Sequence, residues 1–170
     1  MRKHNGYDLV RPMFTIGELK VFSDIFKYVP KTVVAVDLGK EKGRFNELIE
    51  DPGDFLIQEL IKLGEKSDLS LPDIGLLIET EHPLIKQPDQ PATTTYKAIR
   101  VMVKEQKIQR LEDIFKYIPV STVAKDLGRK PDTLSRFVKR VEHFPVKDLR
   151  TIGTLCDLSL ADMFKLAEAP

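Results

Sequence analysis

Residues 7–79 and 96–168 are two copies of one segment. At a constant offset of 89, with no gap, 24 of the 73 aligned positions are identical. They include Tyr7 with Tyr96, Arg11 with Arg100, "DIFKY" at 24–28 and 113–117, "DLG" at 37–39 and 126–128, Gly64 with Gly153, and "DLSL" at 68–71 and 157–160. Chance does not produce such a match, so the chain must fold as a pair of related units. Each has roughly 70 residues, small for a self-supporting core but sufficient for packed helices.

Between the copies, residues 80–95 read "TEHPLIKQPDQPATTT", rich in proline and threonine and poor in apolar residues. This is the pattern of an extended linker. Sixteen residues reach at most about 50 Å at ~3.3 Å each.

Within each copy the apolar residues recur at helical spacing. Leu111, Ile114, Phe115 and Ile118 make one stripe, and Phe22, Ile25, Phe26 and Val29 repeat it. Pro119 and Pro30 end that helix. Ser121 and Thr32 are placed to cap a second helix, which carries Val123, Ala124 and Leu127 and stops at Gly128. A third, 130–140, turns Leu134, Phe137 and Val138 inward. A fourth over about 145–156 and a fifth over about 159–167 follow. "AIRVMV" at 98–103 is read as helical, with Thr94 or Thr95 as its cap, rather than as a strand. The expected fold class is all-α: two tandem five-helix units, 7–79 and 96–168, joined by the linker.

In each copy a small alanine is followed four residues later by glycine, and six after that by a bulky apolar residue. The sets are Ala35, Gly39, Phe45 and Ala124, Gly128, Leu134. The alanine lets two helices cross closely, the glycine makes the turn, and the apolar residue locks the second helix on the first. With "VAKDLGRKPDTLSRFVKR" as its best stretch, each unit resembles a phage-repressor/Cro-type (lambda-repressor-like) helix-turn-helix domain over about 24–79 and 113–168. Two features depart from that family: Lys31 and Val120 stand near the position where it often has glutamine, and Lys40 and Arg129 take the usual apolar place after the turn glycine.

The resemblance implies a recognition helix in the major groove of duplex DNA, with its N-terminal side chains on base edges. In the second unit, Thr133, Ser135 and Arg136 would read bases, while Arg129, Lys130, Lys139 and Arg140 would hold phosphates. Ser121 and Thr122 would meet the backbone from the preceding helix. In the first unit the matching surface is Lys40, Lys42, Arg44 and Asn46, followed by Glu47, Glu50 and Asp51, which would repel phosphates. That unit is the poorer reader.

Charge supports this order. The whole chain is near neutral at +1, but residues 1–79 hold 11 Lys+Arg against 14 Asp+Glu, whereas 96–168 hold 15 against 10. A polyanion prefers the second copy. Paired units could form an intramolecular pseudo-dimer, or the chain a homodimer, reading half-sites about 34 Å apart. The expectation is therefore a cytoplasmic transcriptional regulator; the alternative is a helical protein–protein interaction module that has lost DNA binding.

The sequence points to no enzyme. It has no phosphate-cradling glycine loop and no G-x-S-x-G. His4, His82 and His143 are scattered, so neither a metal site nor a cofactor is implied. Cys156 cannot form an internal disulfide, and no run is long enough to span a membrane. Asp24, Lys27 and Tyr28, with Asp113, Lys116 and Tyr117, are expected to be exposed or half-exposed, with a local Asp–Lys pair at i, i+3 in each copy.

Overall fold

The computed structural model describes residues 6–83 and 93–169. Among these the protein is all-α, with twelve α-helices. The first copy contains α1 (Tyr7–Thr15), α2 (Ile25–Tyr28), α3 (Lys31–Asp37), α4 (Lys42–Glu50), α5 (Ile57–Ser67) and α6 (Leu71–Glu81). The second contains α7 (Thr94–Lys104), α8 (Leu111–Ile114), α9 (Val120–Asp126), α10 (Pro131–Lys139), α11 (Val146–Cys156) and α12 (Leu160–Glu168). Each copy thus has six helices rather than five. Thr80 and Glu81 belong to α6 and Thr94 and Thr95 to α7, so helix reaches into both ends of the expected linker 80–95; residues 84–92 lie outside the described residues.

A hydroxyl helps to tie the additional helix to the rest, beside the ion pairs of Arg11 with Asp73 and Arg100 with Asp157. Tyr7 donates to Asp37 Oδ2 at 2.9 Å, and Tyr96 to Asp126 Oδ2 at 2.5 Å. Burial and then the neighbouring carboxylate push both phenol pKa values up, so each tyrosine stays a donor. This accounts for the aspartate of the repeated "DLG". α7 begins after Thr93, and no threonine side chain caps it.

The phrase "DIFKY" folds differently from a single exposed-face helix. In the first copy a 3₁₀ turn at Phe22–Asp24 runs into the four-residue α2. Asp24 is buried and accepts from the backbone N–H groups of Lys20 and Val21 at 2.8 and 3.1 Å. Asp113 accepts in the same way from Gln109 and Arg110, at 3.1 and 3.0 Å. Each carboxylate supplies the acceptor that helix-start amides lack. Lys27 and Lys116 pair with these carboxylates at 2.5 Å. The aspartate is therefore a capping group, not an outward-facing one, and Tyr28 is half-buried while Tyr117 is exposed.

α3 and α9 begin directly after Pro30 and Pro119, and neither Thr32 nor Ser121 makes the capping bond. Proline's fixed φ starts the helix there without a side-chain acceptor. Both helices end in a Schellman turn. Gly39 N–H bonds Val36 O and Lys40 N–H bonds Ala35 O; Gly128 and Arg129 do the same to Lys125 and Ala124. The glycines take φ of 66° and 64°, which costs glycine little and other residues about 1 kcal/mol or more. Ala35 and Ala124 are buried, on helices that pack against α4 and α10.

"DLSL" also has a local cause. Asp68 and Asp157 take left-handed backbone at the ends of α5 and α11. Ser70 and Ser159 then accept from the N–H groups of Asp73 and Asp162, whose carboxylates accept back from the serine N–H groups. That reciprocal cap fixes the start of α6 and α12.

The two copies pack on each other, and their contacts are reciprocal. Ile57 N–H donates to Phe144 O at 3.1 Å, and Val146 N–H to Phe55 O at 2.9 Å. Leu71 N–H donates to Glu168 Oε1 at 3.2 Å, and Leu160 N–H to Glu79 Oε1 at 3.3 Å. In each pair the residues are exchanged by the 89-residue offset. A contact repeated with its partners swapped marks a two-fold relation. α6 crosses α12 at this junction. A Cβ on Gly75 would lie 2.8 Å from Phe164 Cδ2 and 3.2 Å from Ala161 Cα.

Candidate nucleic-acid interface

α10 has its apolar side held inward by Leu134, which is fully buried, and by the half-buried Phe137 and Val138. Phe137 packs on Phe144 with ring centroids 5.4 Å apart. Helical spacing then leaves Lys130, Arg136, Lys139 and Arg140 exposed, with Thr133 and Ser135 half-buried at the margin. Arg136 Nη2 reaches Thr133 Oγ1 at 3.5 Å, and Arg140 Nε reaches Glu142 at 3.3 Å. No carboxylate neutralises Lys130, Arg136 or Lys139 among the described residues. Ser121 and Thr122 lie exposed on the first turn of α9.

Arg129 does not belong to this free set. Its Nε and Nη2 both donate to Asp148 at 3.1 Å, a two-pronged pair with a carboxylate that is 7% exposed. The guanidinium ties the turn after α9 to the first turn of α11, with its Nε and Nη2 engaged there. Lys40 is committed in the same way, to the buried Glu59 on α5. The two pairs occupy equivalent positions, Lys with Glu in one copy and Arg with Asp in the other. When the cation gains length the carboxylate loses a methylene. This explains why a charge stands where an apolar residue was expected.

The corresponding face of α4 is organised oppositely. Lys42 and Arg44 are exposed and Asn46 is half-buried. Arg44 is bound on both sides, to Glu47 at 2.9 Å and to Asp54 at 3.3 Å. Those bonds push its pKa up. Lys147 from the other copy pairs with Asp54 at 2.8 Å, and it, with Arg44, holds that carboxyl below its usual range. Glu50 is exposed, while Asp51 accepts from Gly53 N–H at 3.1 Å.

Both faces abut the two-fold junction. α4 is followed by the segment through Phe55, and α10 by the segment through Phe144; these trailing segments form the reciprocal backbone bonds. The expected DNA-facing residues are thus gathered into two areas related by the two-fold, with Arg129 and Lys40 withdrawn into the framework. The buried partners Glu59 and Asp148 were not among the expected site residues. Their signal was the matched exchange of Lys–Glu for Arg–Asp between the copies.

Cys156 carries no chemistry here. It is fully buried, and burial pushes its thiol up to about 12, so thiolate is scarce near neutrality. No family model matches the chain, and no curated protein or solved structure matches it.

Proposed function

We propose that the chain binds duplex DNA sequence-specifically, as a transcriptional regulator built from two helix-turn-helix units on one polypeptide. The observation that carries this reading is α10 itself. It is a short helix, set across α9 by a Schellman turn, with exposed Lys130, Arg136 and Lys139 that no carboxylate pairs among the described residues. Lys130, Lys139 and Arg140 flank the helix as phosphate contacts, and Thr133, Ser135 and Arg136 lie at base edges. The two-fold junction supports an intramolecular pseudo-dimer rather than a homodimer as the unit that binds.

The test is binding of the full chain to a random duplex pool across a salt series. Three phosphate contacts give a slope of log K on log salt near about −2.7, or roughly 40-fold weaker binding at 200 mM than at 50 mM. Arg136→Ala should relax base preference, and Lys139→Ala should weaken all sequences alike and reduce the slope by about 1. Failure to bind any duplex at 50 mM salt removes the DNA reading and leaves a helical protein-interaction module. Equal effects of both substitutions on all sequences would remove Arg136 from the base-reading set.

A further inference from the structure

The two reading surfaces are not copies of each other in charge. Residues 40–54 hold three Lys/Arg against five Asp/Glu, net −2, and the equivalent residues 129–143 hold five against two, net +3. The reversal falls on the outward side. Glu47, Glu50 and Asp51 stand where the other copy has Arg136, Lys139 and Arg140. Of the two exposed cations that α4 retains, Lys42 and Arg44, the second is bonded to two carboxylates.

The junction also prevents the chain from escaping this asymmetry by pairing like with like. Its main-chain donors are met two-fold, by Phe144, Phe55, Glu168 and Glu79, but two other side-chain keys are not. Phe164 fills the space left by Gly75, its own equivalent, and Lys147 meets Asp54, whose equivalent is His143. Two second copies facing each other would place one Phe164 ring where the other already sits, and Lys147 beside a histidine. Two first copies would leave a void between facing Gly75 residues.

We infer, on the DNA-binding reading above, that the target duplex is asymmetric: α10 reads one contiguous block of bases, and the carboxylates of α4 keep the first unit off the phosphates of the adjoining turn. A homodimeric reader of the same design would select an inverted repeat. This chain selects a single half-site with a fixed direction, so the molecule has a defined front and back on the duplex.

Selection of the full chain on a randomised duplex pool, followed by hydroxyl-radical footprinting on the recovered sequence, tests this. The expected result is one non-palindromic block, protected along one major-groove segment. A recovered inverted repeat, with halves about 10 bp apart and both protected, overturns the inference while leaving DNA binding intact. In a second arm, Glu47→Arg with Glu50→Lys restores the charges of the other copy at two exposed positions. It should add protection one helical turn away and steepen the salt slope by about 1, from the phosphate contact at position 50. An unchanged footprint and slope in that variant overturns the role given to the α4 carboxylates. If neither protein binds any duplex at 50 mM salt, the inference falls together with the DNA reading.

Discussion

Arg129→Ala separates a residue of the fold from a residue of the ligand site. The substitution leaves Asp148 without the guanidinium that now occupies both of its oxygens. Removing one partner of a fully buried ion pair costs about 3–5 kcal/mol. Here the Asp148 side chain is 7% exposed but Arg129 is 33% exposed, so water can enter from the arginine side. That recovers part of the lost solvation and brings the expected loss to about 2 kcal/mol. For a chain of this size that is about 4–8 °C in Tm. Urea unfolding followed by circular dichroism should show a lower midpoint at an unchanged m-value. A cycle of Arg129→Ala, Asp148→Ala and the double variant should give a coupling of about 1 kcal/mol or more. The other copy suggests a sharper arm. Arg129→Lys alone loses the planar fork, whereas Arg129→Lys with Asp148→Glu installs the pair that Lys40 and Glu59 already make, and should recover most of the loss. A loss below about 0.5 kcal/mol, with no coupling, would refute the reasoning and return Arg129 to the surface as a free cation.

Two further outcomes follow from the packing and the caps. Gly75→Ala places a methyl 2.8 Å from the buried Phe164 ring and 3.2 Å from the α12 backbone, and should lower stability by about 1–3 kcal/mol in thermal unfolding; Phe164→Leu in the same chain should recover part of it. Asp24 and Asp113 have carboxyl pKa values below the usual range. For Asp24 burial pulls upward, but Lys27 and the two backbone N–H groups outweigh it, while for Asp113 the Lys116 bond leads. A depressed folded pKa gives stability that is present above the unfolded value of about 3.9 and is lost as pH falls through the folded one. Asp113→Asn should therefore flatten the Tm profile below about pH 4 and change its shape little at pH 6–8.

The all-α class was legible because apolar residues at three- and four-residue spacing can be buried together only in helices. Leu111, Ile114, Leu134, Leu149 and Met163 are all buried. The turn at Gly39 and Gly128 was legible because glycine and the small alanine before it have a steric reason to stand there. Less legible was what a side chain bonds to once the chain is folded. Arg129 read as a phosphate contact because a surface arginine and a paired one look alike until Asp148, 19 residues away, is brought beside it. Asp24 read as outward because the stripe was taken as one helix, whereas a 3₁₀ turn redirects it onto the preceding backbone; Asp113, half-exposed in α8, reaches the amides of Gln109 and Arg110 without such a turn. The junction between the copies was hidden for the same reason: Gly75 and Phe164 are unremarkable alone and complementary only when face to face.

The reciprocal junction changes how the assembled pair responds to its own abundance. Two separate chains would pair to a second-order extent, dissociating as they are diluted. Covalent connection replaces that dependence with an effective concentration on the order of millimolar, which dilution does not alter. The fraction of paired molecules is then set by the folding equilibrium alone. Occupancy of any surface that needs both copies rises in proportion to the amount of chain, without the threshold that a dissociating dimer imposes.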